Sequence, residues 1–179
     1  MSELLDRLVR DFGVTDITER PPAITTLQVK KENGERLIRE LRDRENFTHL
    51  NFIACVDWIE QGVFRLIYML HNYETKQNLG IHIDIDRDNA EMTSIHTLWA
   101  QAWTYQRELR EMYGINFPGS PRIEENFCLE GWDDIPPMRR DFDTVAYSTE
   151  HFGHREGRVS LEPREHMKVQ LYPKRGGDE

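Results

Sequence analysis

Residues 99–117, WAQAWTYQRELREMYGINF, carry the pattern from which the fold is inferred. The apolar side chains in this stretch recur at helical spacing, and Gly114 is a residue type that commonly ends a helix. The spacing therefore predicts a helix over residues 99–113. Trp99 and Trp103 are one turn apart, so both are expected to enter the same core. The predicted apolar stripe is Trp99, Ala102, Trp103, Leu109 and Met112 or Tyr113.

The predicted helix also carries a charged face. Arg107 and Glu111 are four residues apart, a spacing at which opposite charges pair on a helix, and Glu108 lies beside them. Two interpretations remain open from the spacing alone. The face is either solvated or it docks onto another protein chain.

Upstream of this helix the pattern alternates between helix and strand signals. Helices are predicted over residues 2–12 and 35–45, with a turn at Asn33-Gly34 between a strand at 24–30 and the second helix. Three further strands are predicted over residues 48–58, 63–71 and 79–86, the first placing Leu50, Phe52, Ala54 and Val56 on one face. This order predicts an α+β fold in which helices pack on one face of a mostly antiparallel sheet.

The chain changes character after Phe117. Six of the eight prolines lie beyond this residue, and little periodicity remains. The sequence therefore predicts an α+β domain over residues 1–117, followed by an extended irregular C-terminal arm over residues 118–179. An arm of this length is expected to lie over partner subunits, which supply apolar contacts that it lacks. A disordered tail is the alternative.

Composition excludes several classes of protein. The net charge of −9 argues against nucleic-acid binding. The chain has no run of about 18 apolar residues, so no membrane-spanning segment is expected. Two cysteines, Cys55 and Cys128, are too few for a four-thiolate cluster or zinc site. Cys55 lies in an apolar strand and is expected to be a core residue.

Two motifs in the second half of the chain carry a resemblance. The first motif comprises Trp99, Ala102, Trp103, Gln106-Arg107-Glu108, Glu111-Met112-Tyr113-Gly114-Ile115, Phe117 and Gly119-Ser120-Pro121. The second comprises Trp132 and Pro137-Met138-Arg139-Arg140-Asp141-Phe142. Together they resemble the 30-kDa-subunit family, the C subunit of respiratory complex I (NADH-quinone oxidoreductase), and its relatives in membrane-bound energy-converting hydrogenases. The chain departs from the family pattern in having Gln106 in place of Glu, Glu111 in place of Asp, Ser120 in place of His, and a Pro136-Pro137 pair in the second motif.

The resemblance implies a structural protein without a catalytic site of its own. It implies a place in the peripheral arm of a complex I-like respiratory complex, on the cytoplasmic face of the membrane. The expected partners are a large catalytic-type subunit, similar to the D subunit of complex I or to a hydrogenase large subunit, and a small cluster-bearing subunit. No cofactor is expected on this chain, and iron–sulfur clusters are expected on partner subunits.

A set of charged and aromatic residues is expected to form the partner interface. Arginine forks paired with carboxylates hold interfaces in register, and buried aromatic side chains supply contact energy. The arginines of the second motif are expected to lie outside the core of the domain. The proposed interface residues are Arg107, Glu108, Glu111, Trp132, Met138, Arg139, Arg140, Asp141 and Phe142.

A metal site on this chain is the alternative from a different class. His82, Asp84 and Asp86 alternate on one predicted strand, so their side chains share a face. Imidazole and carboxylate ligands of this kind suit a small stand-alone metal-dependent hydrolase. A solvated strand face gives the same pattern. His151, His154 and His166 form a second candidate set, which could chelate only if helical, and Gly153 opposes a helix there.

Overall fold

The computed structural model describes residues 2–20 and 24–153. The chain divides into two compact units, Met1–Phe142 and Asp143–Glu179. The described part of the second unit consists of residues 143–153.

The first unit contains three α-helices and five strands among its described residues. The helices are α1 (Ser2–Phe12), α2 (Lys31–Asp43) and α3 (Ala102–Tyr113). The strands are β1 (Thr15–Arg20), β2 (Ile24–Gln28), β3 (His49–Trp58), β4 (Val63–Asn72) and β5 (Gln77–Asp86). A short 3-10 turn, Ile59–Gln61, and left-handed Gly62 join β3 to β4. The prediction identified each of these α-helices and strands except β1.

The five strands form one sheet in the order β1-β2-β5-β4-β3. The pairs β1–β2, β5–β4 and β4–β3 are antiparallel, and β2–β5 is parallel. The core lies on one face of this sheet, where alternate residues of β4 are fully buried. These are Phe64, Leu66, Tyr68 and Leu70. The predicted α+β fold with a mostly antiparallel sheet is confirmed.

Helix α2 corrects one part of the prediction. It begins at Lys31 and runs through Asn33-Gly34, so the predicted turn is wrong. Gly34 is buried, and a Cβ atom built on it would lie 2.5 Å from Ile83 Cδ1 on β5. Glycine is therefore used here for a close approach of helix to sheet, which outweighs its poor helix propensity.

The residues of β3 that face the core differ from those predicted. A register irregularity between Leu50 and Phe52 changes which residues face the core. Leu50 is buried, whereas Phe52 and Val56 are each 39% exposed. The prediction that these residues share one face is wrong. The shift turns Asp57 inward, where its side chain is only 2% exposed.

The position of Trp103 on α3 differs from the prediction that it enters the core. The helix begins at Ala102, and its buried residues are Ala102, Gln106 and Leu109. Trp103 is half-buried, and the guanidinium groups of Arg107 and Arg122 lie 5.4 and 5.6 Å from its ring centroid. Trp99 packs against the core, but Trp103 does not belong to it. The two tryptophans therefore do not enter the same core.

Residues 118–142 consist of turns and bends. The predicted boundary lies after Phe117, whereas the first compact unit extends to Phe142. In the second unit, α4 (Thr144–Phe152) is capped by Asp143, whose Oδ1 accepts hydrogen bonds from the amides of Val145 and Ala146. Within the described ranges, no helix combines the length and apolar character needed to cross a bilayer.

Candidate functional site

The face of α3 that carries the first motif contacts the main chain of residues 125–128. Arg107 donates hydrogen bonds to the carbonyl oxygens of Glu125 and Asn126. The carboxylate of Glu111 accepts hydrogen bonds from the amides of Phe127 at 2.7 Å and Cys128 at 2.8 Å. The two side chains, both in the described part of the chain, form no ion pair with each other. The pairing that their spacing allows is therefore replaced by contacts with residues 125–128.

The Glu111 carboxylate is held in its ionised form. Partial burial raises its pKa, but hydrogen bonds from the amides of Cys128, Phe127 and Leu129 more than offset this effect. The pKa of Glu111 consequently lies below its ordinary value. Glu108, one residue after Arg107, is exposed, and its carboxylate makes no hydrogen bond or ion pair with the described residues, 2–20 and 24–153.

A second set of contacts joins the end of β3 to the second motif. Arg87 donates two hydrogen bonds to the Asp57 carboxylate, at 2.9 and 3.1 Å. The same guanidinium contacts Asp141 at 2.7 Å. The amide of Arg140 donates to Asp57 Oδ2 at 2.9 Å. Asp57 and Arg87 therefore hold the main chain and one side chain of the second motif.

Charge complementarity shifts the pKa values of this network. Burial raises the pKa of Asp57, but the hydrogen bonds from Arg87 and the Arg140 amide outweigh it and bring the pKa below its ordinary value. The hydrogen bond from Asp57 raises the pKa of Arg87, although burial of the guanidinium acts in the opposite direction. The pKa of Asp141 is lowered, mainly by its hydrogen bond from Arg87. All three groups are charged at neutral pH.

The two arginines of the second motif have different surroundings. Arg140 pairs with Glu60 at 2.6 Å, and both side chains are more than half exposed. Arg139 has a side chain only 20% exposed and lies 3.4 Å from Asp141. Its guanidinium is 5.5 Å from the ring centroid of the core residue Phe64. Arg139 therefore borders the core without being part of it, whereas Arg140 lies on the surface.

The remaining proposed interface residues surround this network. Trp132 and Phe142 meet edge to face, with ring centroids 5.4 Å apart, and the Trp132 indole donates to the carbonyl oxygens of Asp134 and Ile135. The amide of Met138 donates to the Met112 carbonyl oxygen on α3, while its side chain is 57% exposed. Phe127 and Ile135 are each 39% exposed. Residues 118–142 thus present exposed apolar side chains on a main chain fixed by hydrogen bonds.

Two polar residues of this region escaped the sequence prediction. Arg87 follows the last strand and carried no pattern that singled it out. Gln106 is fully buried, and its Oε1 accepts hydrogen bonds from the hydroxyls of Ser94 and Ser120, each at 2.7 Å. A usable signal was present, because Gln106 and Ser120 are both departures from the family pattern.

The alternative metal site is not supported. His82, Asp84 and Asp86 do lie on one face of β5, as expected. However, Asp84 is occupied by Arg65, at 2.7 Å, and by Gln28, and Asp86 accepts hydrogen bonds from the amides of residues 88 and 89. No group of three or more potential ligands suited to a metal occurs in the described residues. In the second candidate set, His151 contacts the Tyr147 carbonyl oxygen, and His154 and His166 lie outside the described residues.

Comparison with known proteins identifies the class of chain that this fold and segment define. A model of the family described as "Respiratory-chain NADH dehydrogenase, 30 Kd subunit" matches residues 27–148. This match covers both motifs and the residues of the sheet that contact them. The chain belongs to this family, whose members are subunits of a respiratory complex.

Individual relatives agree with this assignment. The chain is 27% identical over 138 residues to the C subunit of NADH-quinone oxidoreductase from Moorella thermoacetica, covering 77% of this chain and 90% of the relative. It is 26% identical over 118 residues to the C/D subunit of the same enzyme from Phocaeicola vulgatus, covering 65% of this chain but 22% of that longer protein. A chain of the archaeal membrane-bound sulfane sulfur reductase complex has the same fold, with a TM-score of 0.76 and 24% identity over 90% of this chain and 96% of that one.

Proposed function

We propose that this chain is a non-catalytic structural subunit of the peripheral arm of a complex I-like respiratory complex. In this role it fixes a large, D-like partner against a small cluster-bearing partner. The complex would carry its iron–sulfur clusters on those partners, with none on this chain. The protein would sit peripherally, on the cytoplasmic face of the membrane.

The observation that carries this proposal is that charged side chains from α3, β3 and Arg87 are used to hold residues 118–142 in place. Arg107, Glu111, Asp57 and Arg87 bind main-chain groups or each other. Charged groups satisfied in this way build a surface and are poorly placed to transfer protons or electrons. The apolar side chains left outside, Phe127, Ile135 and Met138, suit a protein partner.

The identity of the large partner is supported by the longer relative. The Phocaeicola vulgatus protein is named as a C/D subunit, and this chain matches only 22% of its length. A single chain holding C-like and D-like parts keeps the two parts together at high effective concentration. We infer that a D-like chain is the large partner of this protein.

Co-purification of the tagged full-length chain with its D-like partner tests this function. Met138→Glu places a charge on a side chain that is 57% exposed. It should leave the melting temperature of the free chain unchanged but reduce recovery of the partner about tenfold or more, because a charge at an apolar contact is desolvated on docking. Val9→Glu is the matched control, since Val9 is 45% exposed on α1. Equal recovery with both variants would contradict a docking role for this surface.

A further inference from the structure

Residues 125–128 are held between two side chains from successive turns of α3. Arg107 binds the carbonyl oxygens of residues 125 and 126, and Glu111 binds the amides of residues 127 and 128. The segment thus presents two acceptors followed by two donors. The helix presents a cation and then an anion in the same order. Each side chain meets main-chain groups of complementary polarity.

This arrangement differs from the usual use of such a pair. Opposite charges four residues apart on a helix are close enough to pair with each other. Here a stretch of another segment's main chain replaces that pairing, and the hydrogen bonds to it are charge-assisted. The four main-chain hydrogen bonds fix the path of the segment, and the Cys128 thiol adds a side-chain hydrogen bond to Glu111 at 3.3 Å.

Neighbouring contacts hold the Arg107 side chain in position and extend the attachment of the segment along the helix. The Arg107 guanidinium lies 5.4 Å from the Trp103 ring centroid and 5.8 Å from that of Phe127. One residue beyond Glu111, the Met112 carbonyl oxygen accepts the Met138 amide at 3.0 Å. Gly114, at φ 79°, ends the helix beside Pro136. The segment therefore meets α3 at both ends of residues 127–138.

We propose that Arg107 and Glu111 act together as a main-chain clamp that orders residues 118–142 in the free protein, and so forms the Phe127, Ile135 and Met138 surface before any partner binds. The role of this surface in partner binding rests on the proposed function, whereas the ordering of residues 118–142 by the clamp does not. A segment ordered in advance loses less conformational entropy on docking, which strengthens binding without adding contacts. Glu111 is a positioning residue in this scheme.

Amide hydrogen exchange on the full-length chain, read by nuclear magnetic resonance, tests the clamp. Glu111→Gln keeps the side-chain shape but removes the charge and one acceptor oxygen. The amides of Phe127 and Cys128 should then exchange about tenfold faster or more, as expected for loss of hydrogen bonds to a charged group. Sheet amides such as those of Leu66 and Ile81 serve as an internal reference for intact folding. Glu108→Gln is the matched control, because Glu108 is an exposed carboxylate on the same helix.

Two results would overturn the proposal, and they are distinct from failure of the proposed function. Unchanged exchange at Phe127 and Cys128 in Glu111→Gln would show that the clamp does not order the segment. Faster exchange combined with undiminished recovery of the D-like partner would show that the ordering does not preform a docking surface. Failure of the proposed function would be seen instead with the unaltered chain, as no recovery of that partner at all.

Discussion

At the scale of single residues, the most informative pair is Gln106 and Ser120. Both differ from the pattern that the sequence resembles, which has Glu and His at these places. In this chain they are hydrogen-bonded to each other at 2.7 Å, and both are buried. Because the two side chains are in direct contact, we expect substitutions at the two positions to be energetically coupled.

Gln106→Glu tests this coupling. The substitution buries a carboxylate beside two hydroxyls, which should raise its pKa above the ordinary value and lower the free energy of unfolding by about 2–4 kcal/mol at pH 7. Because the folded-state pKa is raised above the unfolded value, the loss should shrink as the pH falls toward ~4.3. Chemical denaturation at several pH values measures it.

Ser120→His and Gln106→Glu together form a double-mutant cycle. Combined, they place an acid facing a base, and the coupling energy should be about 1–3 kcal/mol in favour of the double variant. Strict additivity of the two single losses would show that the two positions are independent.

At the scale of elements, α3 and the residues before it cover the free edge of β3. Trp99, Gln101, Tyr105 and Tyr113 donate hydrogen bonds to the carbonyl oxygens of Thr48, Leu50, Asn51 and Cys55, respectively. β3 is a terminal strand of the sheet. An open edge strand of ten residues would invite pairing with another chain. Side-chain donors from α3 and from the residues before it bind carbonyl oxygens of β3 and of Thr48 just before it, in place of a sixth strand.

Tyr105→Phe combined with Tyr113→Phe removes two of these donors while keeping both rings. Each lost hydrogen bond should cost about 0.5–1.5 kcal/mol, so the double variant should be about 1–3 kcal/mol less stable. Thermal and urea denaturation give the value. Tyr73→Phe is the control, because Tyr73 is 63% exposed and should tolerate loss of its hydroxyl. A double variant as stable as this control would mean that the edge hydrogen bonds contribute nothing.

At the scale of the whole molecule, Asp57 and Arg87 attach the end of the first compact unit to the sheet. Their side chains are 2% and 10% exposed, and they also hold the Arg140 amide and Asp141. Removing Asp57 would leave the buried Arg87 with the more exposed Asp141 as its remaining counter-charge and would free the Arg140 amide. This pair therefore joins residues distant in sequence into one folding unit.

Asp57→Asn should lower the free energy of unfolding by about 3–5 kcal/mol at pH 7. Glu60→Gln breaks an exposed pair with Arg140 and should cost less than ~1 kcal/mol. The folded-state pKa of Asp57 is depressed, so its contribution is present above the unfolded value of 3.8 and is lost as the pH falls through the folded pKa. The difference in free energy of unfolding between the wild type and Asp57→Asn should accordingly become smaller below about pH 4. A difference that stays constant down to about pH 2 would contradict this account.

The sequence by itself determined the class of fold, the order of all but one of the α-helices and strands of the first unit, and the family. Helical and strand periodicity is local, and α1, β4, β5 and α3 each carried it over about ten residues or more. Strand β1, in which five of the six residues are polar and exposed and Ile17 is the apolar one, carried no such signal. The sequence also singled out Arg107, Glu111 and the second motif as a site of contact.

Only the tertiary structure decided what those residues contact. The irregularity in β3 turned Asp57 inward, and a one-residue shift of this kind leaves no trace in an alternating pattern that is apolar on both faces. Gly34 lies inside α2 because the helix must approach Ile83 closely, a condition set by a strand far along the chain. Arg107 and Glu111 bind main chain, which has no residue-specific signature. The partners of a charged side chain depend on which segments meet in space, and spacing along the chain cannot specify that.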